Sequence, residues 1–180
     1  MKKSKKKATK KESLYRLFEA SFWMEWQSTD SCFLIENLEE TIALGRILVK
    51  QIPDFNLVLL EGPLGAGKTS LVKGIASGLG IDEPITSPTF PLAQHYYSGT
   101  IPLFHLDLYR LEQHLEANEL FIQEEEEARG CNALMVVEWP ERLKLSLPDA
   151  LRVTMEFCNN GRLARSYPPA IFTKSSITSS

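Results

Sequence analysis

NLVLLEGPLGAGKTSLVKGIASG, residues 56 to 78, decides the fold. Leu57 to Leu60 is an uninterrupted apolar run, the pattern of a strand buried on both faces of a parallel sheet. Gly62-Pro63-Leu64-Gly65-Ala66-Gly67-Lys68-Thr69 then fills each fixed position of GxxxxGK[ST]. The glycines let the backbone curl so that successive N–H groups of Leu64, Gly65, Ala66 and Gly67 can converge on phosphate oxygens. The helix expected over Thr69 to Gly78 adds its positive N-terminal end. Lys68 is expected to reach the β- and γ-phosphates of a nucleoside triphosphate, and the Thr69 hydroxyl to ligate Mg²⁺. The bland reading is a glycine-rich turn. The order strand, loop, helix favours the phosphate-binding one.

Upstream, CFLIEN (32–37) reads as a short strand. Asn37 is placed to cap a helix, with Glu40 three residues on and an apolar stripe from Leu38 to Ile52 that stops before Pro53. Residues 12–30 place Leu14, Leu17, Phe18, Phe22, Trp23 and Trp26 at helical spacing and predict a short appended aromatic helix. Downstream, PITSPTFPL (84–92) holds three prolines and excludes regular helix. IPLFHLDLYRL (101–111) alternates as a strand, with Phe104, Leu106 and Leu108 on one side and His105, Asp107 and Tyr109 on the other. The acid-rich segment 112–129 predicts a helix whose Glu124–Glu127 run is a solvated face. Ala133 to Val137 is a second buried-type strand, ending in Glu138-Trp139-Pro140. LRVTMEF (151–157) reads as the last strand, Asn159-Asn160-Gly161 as a turn, and the chain from Ser166 onward as a disordered Ser/Thr/Pro tail.

The chemistry needs acids beside the loop. Glu138 follows LMVV, where a carboxylate at a strand's C-terminal end falls on the ligand edge of a parallel sheet, and is the best candidate for a second Mg²⁺ ligand. Its bland alternative is a surface acid at a strand end. Asp107 sits mid-strand among apolar residues and needs a partner. Arg110 would be the ordinary one; a magnesium ion or the attacking water would be the functional one. His105 is expected to be a hydrogen-bonded packing residue. Trp139 either contacts a nucleotide base or packs.

Bulk properties set the frame. The 180 residues carry a net charge of −3 with 43% hydrophobic residues, ordinary for a soluble domain with tails. Seven lysines and no acid lie in the first eleven residues, so the rest sums to −10. The basic stretch is expected to be a solvated charge run, with a nucleic-acid arm as the sharper alternative. No apolar run approaches the ~20 residues of a bilayer span, and no apolar segment follows the lysines as in a secretory signal. Cys32, Cys131 and Cys158 have no paired spacing; they are expected to be small buried hydrophobes in a reducing, cytoplasmic setting. The three histidines show no zinc-type spacing.

GPLGAGKTS, SPTF (87–90), HLDLYRL (105–111) and EWPER (138–142), in this order, resemble the TsaE (YjeE) family of bacterial P-loop ATPases of tRNA threonylcarbamoyladenosine biosynthesis. The resemblance spans residues 31–165, leaving 1–30 and 166–180 as tails. It implies an α/β P-loop sheet, mostly parallel with antiparallel additions and helices on both faces. It implies Mg²⁺-dependent ATP hydrolysis, weak in the isolated protein, in the service of a threonylcarbamoyl-transferring protein pair of the TsaB and TsaD type, with tRNA engaged through that complex. By motif position Thr69 and Glu138 would hold the metal, and Asp107 would be the acid required for hydrolysis, at or near the metal. Thr89 would centre a nucleotide-responsive switch loop. Arg162 would lie near the nucleotide and Thr41 near its base. One departure is Glu119-Leu120-Phe121, where the family often has Glu-Leu-Gly.

Two rivals stand beside this reading. A small-molecule P-loop kinase would need an arginine-bearing lid, and between residues 111 and 150 there are only Arg129 and Arg142. A nucleotide-switched, non-hydrolysing binding module would have less need of Asp107 and Glu138. A GTPase is disfavoured by the absence of an NKxD motif.

Overall fold

The computed structural model describes residues 31–50, 56–159 and 161–167. The expectations for the lysine-rich stretch and the aromatic helix fall outside these residues. Within them, seven strands form one sheet. They are β1 (Ser31–Ile35), β2 (Leu57–Glu61), β3 (Ala93–Tyr96), β4 (Leu103–Asp107), β5 (Leu134–Glu138), β6 (Leu151–Cys158) and β7 (Gly161–Tyr167). Three helices accompany them: α1 (Leu38–Val49), α2 (Lys68–Gly78) and α3 (His114–Gly130).

The strand order is β1-β7-β6-β2-β5-β4-β3. The four central strands β6, β2, β5 and β4 are mutually parallel, whereas β3, β7 and β1 join antiparallel to their neighbours. This is the mixed sheet expected. Leu57 and Leu59 of β2 enter one apolar cluster with Phe121 and Ala128 of α3; Val58 and Leu60 enter the other with Leu44 and Leu48 of α1 and Leu71 and Ile75 of α2. Burial on both faces explains why β2 reads as a continuous apolar run.

Local chemistry sets the helix starts. Asn37 caps α1: its Oδ1 accepts from the Glu40 N–H at 3.0 Å, and Glu40 Oε2 accepts from the Glu36 N–H at 2.8 Å. Helices α1 and α2 cross at Gly45 and Gly74. A Cβ on Gly74 would strike the Ile42 carbonyl, and one on Gly45 the Leu71 carbonyl, so this approach requires glycine on both helices.

Four expectations are corrected. LRVTMEF is not the last strand: β7 pairs with both β6 and β1 and carries order through Ser166 and Tyr167, residues expected in a tail. GRLARSY reads poorly as a strand because its arginines hide the alternation that places Ala164 and Ser166 inside. All three cysteines are exposed rather than buried, on β1, at the end of α3 and at the end of β6. Glu124 is buried, not solvated, because His95 on the edge strand β3 meets it at 2.6 Å while its ring stacks on Phe104. Asp107 does not pair with Arg110, whose guanidinium lies over the exposed Phe90 ring instead.

Candidate functional site

The parallel strands β2, β4 and β5 end at one edge of the sheet, where their last residues are Glu61, Asp107 and Glu138. Three other connections reach the same edge for topological reasons. The β6–β7 turn lies there because β6 runs parallel to β2, which delivers Arg162. Strand β1, antiparallel to β7, ends there and hands over to α1, which delivers Thr41. Strand β3, antiparallel to β4, starts there, so the SPTF segment before it is delivered too.

The result is a cavity of about 350 Å³, within the size range of small-molecule sites. Leu64, Gly65, Gly67, Lys68 and Thr69 line it, with Thr41, Thr89, Asp107, Glu138, Trp139 and Arg162. Ala66 is the exception among the residues expected there: it is fully buried behind the loop, and its N–H is taken by the Pro63 carbonyl at 3.2 Å. Leu38, Ser70, Ser87 and Tyr109 also line the cavity. Ser87 and Tyr109 lie inside motifs already singled out, Tyr109 on the Asp107 side of the alternation. Nothing in the sequence marks Leu38.

The loop turns on glycine geometry. Gly67, immediately before α2, has φ 105°, a left-handed conformation that side-chain-bearing residues rarely adopt. Lys68 Nζ donates to the carbonyls of Gly62 at 2.6 Å and Pro63 at 3.1 Å and lies 3.8 Å from the centroid of the Trp139 ring. Trp139 is itself in the left-handed region, φ 62°, with Tyr109 packed against it at 4.8 Å. Burial pushes the Lys68 ammonium below its ordinary value of 10.5, against the opposing pull of Glu138, Glu141 and Asp107.

Asp107 and Glu138 are cross-strand neighbours in register, both nearly buried. Glu138 Oε1 accepts from the Thr69 hydroxyl at 2.8 Å and is 2.9 Å from His105 Nε2. Asp107 Oδ2 accepts from the hydroxyls of Ser87 at 2.8 Å and Thr89 at 2.6 Å, and Oδ1 accepts from the Tyr109 N–H at 3.1 Å. Arg162 Nη2 reaches the Gly65 carbonyl at 3.5 Å. The Thr41 hydroxyl donates to the Asn37 carbonyl at 3.1 Å.

The donor set fits a hard divalent cation. A hydroxyl and a carboxylate already 2.8 Å apart, with a second carboxylate in register, offer only oxygen ligands, which suits Mg²⁺ rather than a soft metal.

A GxxxxGKT loop that opens a helix at the carboxyl edge of a parallel sheet, with two acids on the adjoining strands, defines a P-loop α/β protein. The chain belongs to the TsaE family: residues 35–166 match the family model described as threonylcarbamoyl adenosine biosynthesis protein TsaE. It is 46% identical over 115 residues to the tRNA threonylcarbamoyladenosine biosynthesis protein TsaE of Synechocystis, covering 62% of this chain and 71% of that one. It is 38% identical over 112 residues to the protein of that name from Bacillus subtilis, covering 62% and 68%. The crystal structure of Bacillus subtilis YdiB superposes with a TM-score of 0.62 at 27% identity, over 79% of this chain and 88% of that one. Among the described residues no helix is long and apolar enough to cross a membrane.

Proposed function

We propose that the chain is a Mg²⁺-dependent ATPase, weak alone, that serves the cytoplasmic machinery producing threonylcarbamoyladenosine in tRNA. The observation that carries the reading is the convergence of Lys68, Thr69, Glu138 and Asp107 on one cavity, in a chain whose relatives are named for that biosynthesis.

The chain's own groups divide the work. Loop amides and Lys68 would bind the phosphates; for that, Lys68 must leave the Gly62 and Pro63 carbonyls it now occupies. Thr69 and Glu138 would hold Mg²⁺, which supplies charge neutralisation on the phosphate oxygens. Asp107 would orient the attacking water by accepting its hydrogen bond. To do so it must release at least part of its bonding to Ser87 and Thr89, which couples the SPTF loop to the reacting end of the nucleotide. Thr41 would lie toward the nucleoside, whereas Trp139 packs over Lys68 at the phosphate end of the cavity. Arg162, at the loop, adds positive charge beside the phosphates.

A protein pair of the TsaB and TsaD type is the proposed partner, and tRNA would be met through it. The acidic net charge outside the first eleven residues disfavours direct docking of RNA on this domain. The kinase alternative gains no support, since Arg129 bonds Glu125 on the exposed side of α3. The test is phosphate release with the partner pair added stepwise, alongside tRNA modification over many turnovers. Stimulation by the pair is expected. No stimulation together with no effect on modification rejects the reading; tight nucleotide binding without release supports a switched binding module instead.

A further inference from the structure

We infer that His105 is a positioning residue for Glu138, holding its carboxylate in the orientation that a magnesium site requires. The inference rests on the ATPase reading above and adds a residue that the reading does not use.

His105 is fully buried, yet only one of its nitrogens has a partner. Nε2 lies 2.9 Å from Glu138 Oε1. A carboxylate can only accept, so Nε2 carries the donated hydrogen. Nδ1 is buried with no hydrogen-bond partner among the described residues, a desolvation cost that nothing repays. A residue present only to fill space would be better apolar, as are its strand neighbours Leu103, Phe104 and Leu106, all buried in the core. What histidine offers here is one N–H aimed at one carboxylate oxygen.

The placement of that bond matters. Thr69 and His105 both use Oε1 of Glu138, and among the described residues no hydrogen bond falls on Oε2. Glu138 lines the cavity, so Oε2 is the oxygen left for a cation or its water. The two donors also stand on different supports. Thr69 opens α2 beside Lys68, whose ammonium must leave the Gly62 and Pro63 carbonyls when phosphate enters. His105 stands on the central strand β4 and need not move. It is therefore the fixed side of the clamp, and β4 orients both acids, Asp107 by carrying it and Glu138 through His105. Carboxylates that ligate metals are themselves held by hydrogen bonds, and loss of such a holder costs about 10- to 100-fold in metal affinity or activity.

The test measures binding of a fluorescent ATP analogue with and without Mg²⁺, together with thermal unfolding, for wild type, H105L and H105Q. Gln carries an N–H to about the Nε2 position; Leu fills the space without one. For H105L we expect an unfolding temperature equal to or above wild type, Mg²⁺-free affinity unchanged, and the gain in affinity on adding Mg²⁺ reduced about tenfold or more. H105Q should recover most of that gain. A full Mg²⁺ gain in H105L overturns the inference, as does a loss in which Mg²⁺-free affinity and stability fall together and H105Q gives no recovery. Should H105L not fold, H105N decides, because its shorter amide cannot reach Glu138: a lost gain supports the inference and a full gain overturns it. If the wild type itself shows no Mg²⁺ gain and no hydrolysis, the ATPase reading fails and this inference with it. A wild-type gain that survives in the variants overturns only the inference.

Discussion

Asp107 and Glu138 sit side by side on parallel strands, equally buried, at the same edge of the sheet. Their partners differ in kind. Glu138 is held by regular structure, His105 on β4 and Thr69 in the first turn of α2. Asp107 takes two of its three hydrogen bonds from the hydroxyls of Ser87 and Thr89, on a proline-rich segment with no regular structure of its own. Two adjacent carboxylates are thus tied to different degrees of freedom. Moving the SPTF segment releases Asp107 and leaves Glu138 where it is. A cation site needs the second property and a switch needs the first.

The sharpest way to break this division is to neutralise each acid in turn. Glu138→Gln is expected to lower hydrolysis by about 10²- to 10³-fold, the scale seen when one preorganised electrostatic group is removed, and to abolish the Mg²⁺-dependent gain in nucleotide affinity. Asp107→Asn should lower hydrolysis comparably while keeping that gain. Nucleotide titrations with and without Mg²⁺, paired with phosphate release, read both. Equal loss of the gain in the two variants would show that the acids form one cation site and that the contrast is false.

A smaller effect is expected from loosening the switch side alone. In a double variant, Ser87→Ala with Thr89→Val, Asp107 loses two hydroxyl donors but keeps the Tyr109 N–H. Water can replace the lost bonds because the segment is exposed at Thr86 and Ser87, so the net cost should stay below the ~1.5–3 kcal/mol of a dry bond to a charged group. Basal hydrolysis should change by less than about tenfold. Stimulation by the partner pair should fall further than the basal rate, because the loop no longer reports the state of Asp107. Stimulation equal to wild type would remove the SPTF segment from the coupling.

How much of this could be read from the sequence follows the same contrast. Lys68, Thr69 and Glu138 were legible because each follows a buried apolar strand within a few residues, and local order alone places it at the carboxyl edge. The mixed sheet was expected, and its central strands were legible for the same reason. The Ser87 and Thr89 bonds to Asp107 were not, since they join residues 20 and 18 positions apart through a segment without periodicity. Arg110 is the ordinary partner that the sequence offers Asp107 as the alternative to a magnesium ion or water, yet its backbone lies past the strand end and its side chain turns to Phe90. Arg162 came only from the family resemblance, because β7 did not read as a strand. Glu124 was misread because only the sheet register brings His95 over α3. The cysteines run against expectation because general burial tendencies say nothing of which strand face, or which helix end, a residue occupies.

The smallest expected effect appears only at alkaline pH and concerns the group that faces both acids. Burial lowers the Lys68 pKa in the free protein below 10.5, the value it keeps when unfolded. Between the two values the unfolded chain binds more protons than the native one, so this residue makes native stability rise with pH across that window. Nucleotide binding has the opposite sign. Phosphate oxygens favour the charged ammonium, so above the free-state pKa each binding event must take up a proton. Affinity should then fall by up to about tenfold per pH unit. The fall should begin below pH 10.5 in the wild type. Lys68→Gln should bind weakly at every pH and show no such fall, and the wild-type excess of stability over this variant should grow as pH rises through the window. The measurements are nucleotide titrations and chemical denaturation of both proteins from neutral pH upward. A wild-type affinity that starts to fall only above 10.5 would mean that Lys68 is not desolvated in the free site. Its bonds to the Gly62 and Pro63 carbonyls would then leave it in water's reach, and the rearrangement that frees it for phosphate would be smaller than the structure implies.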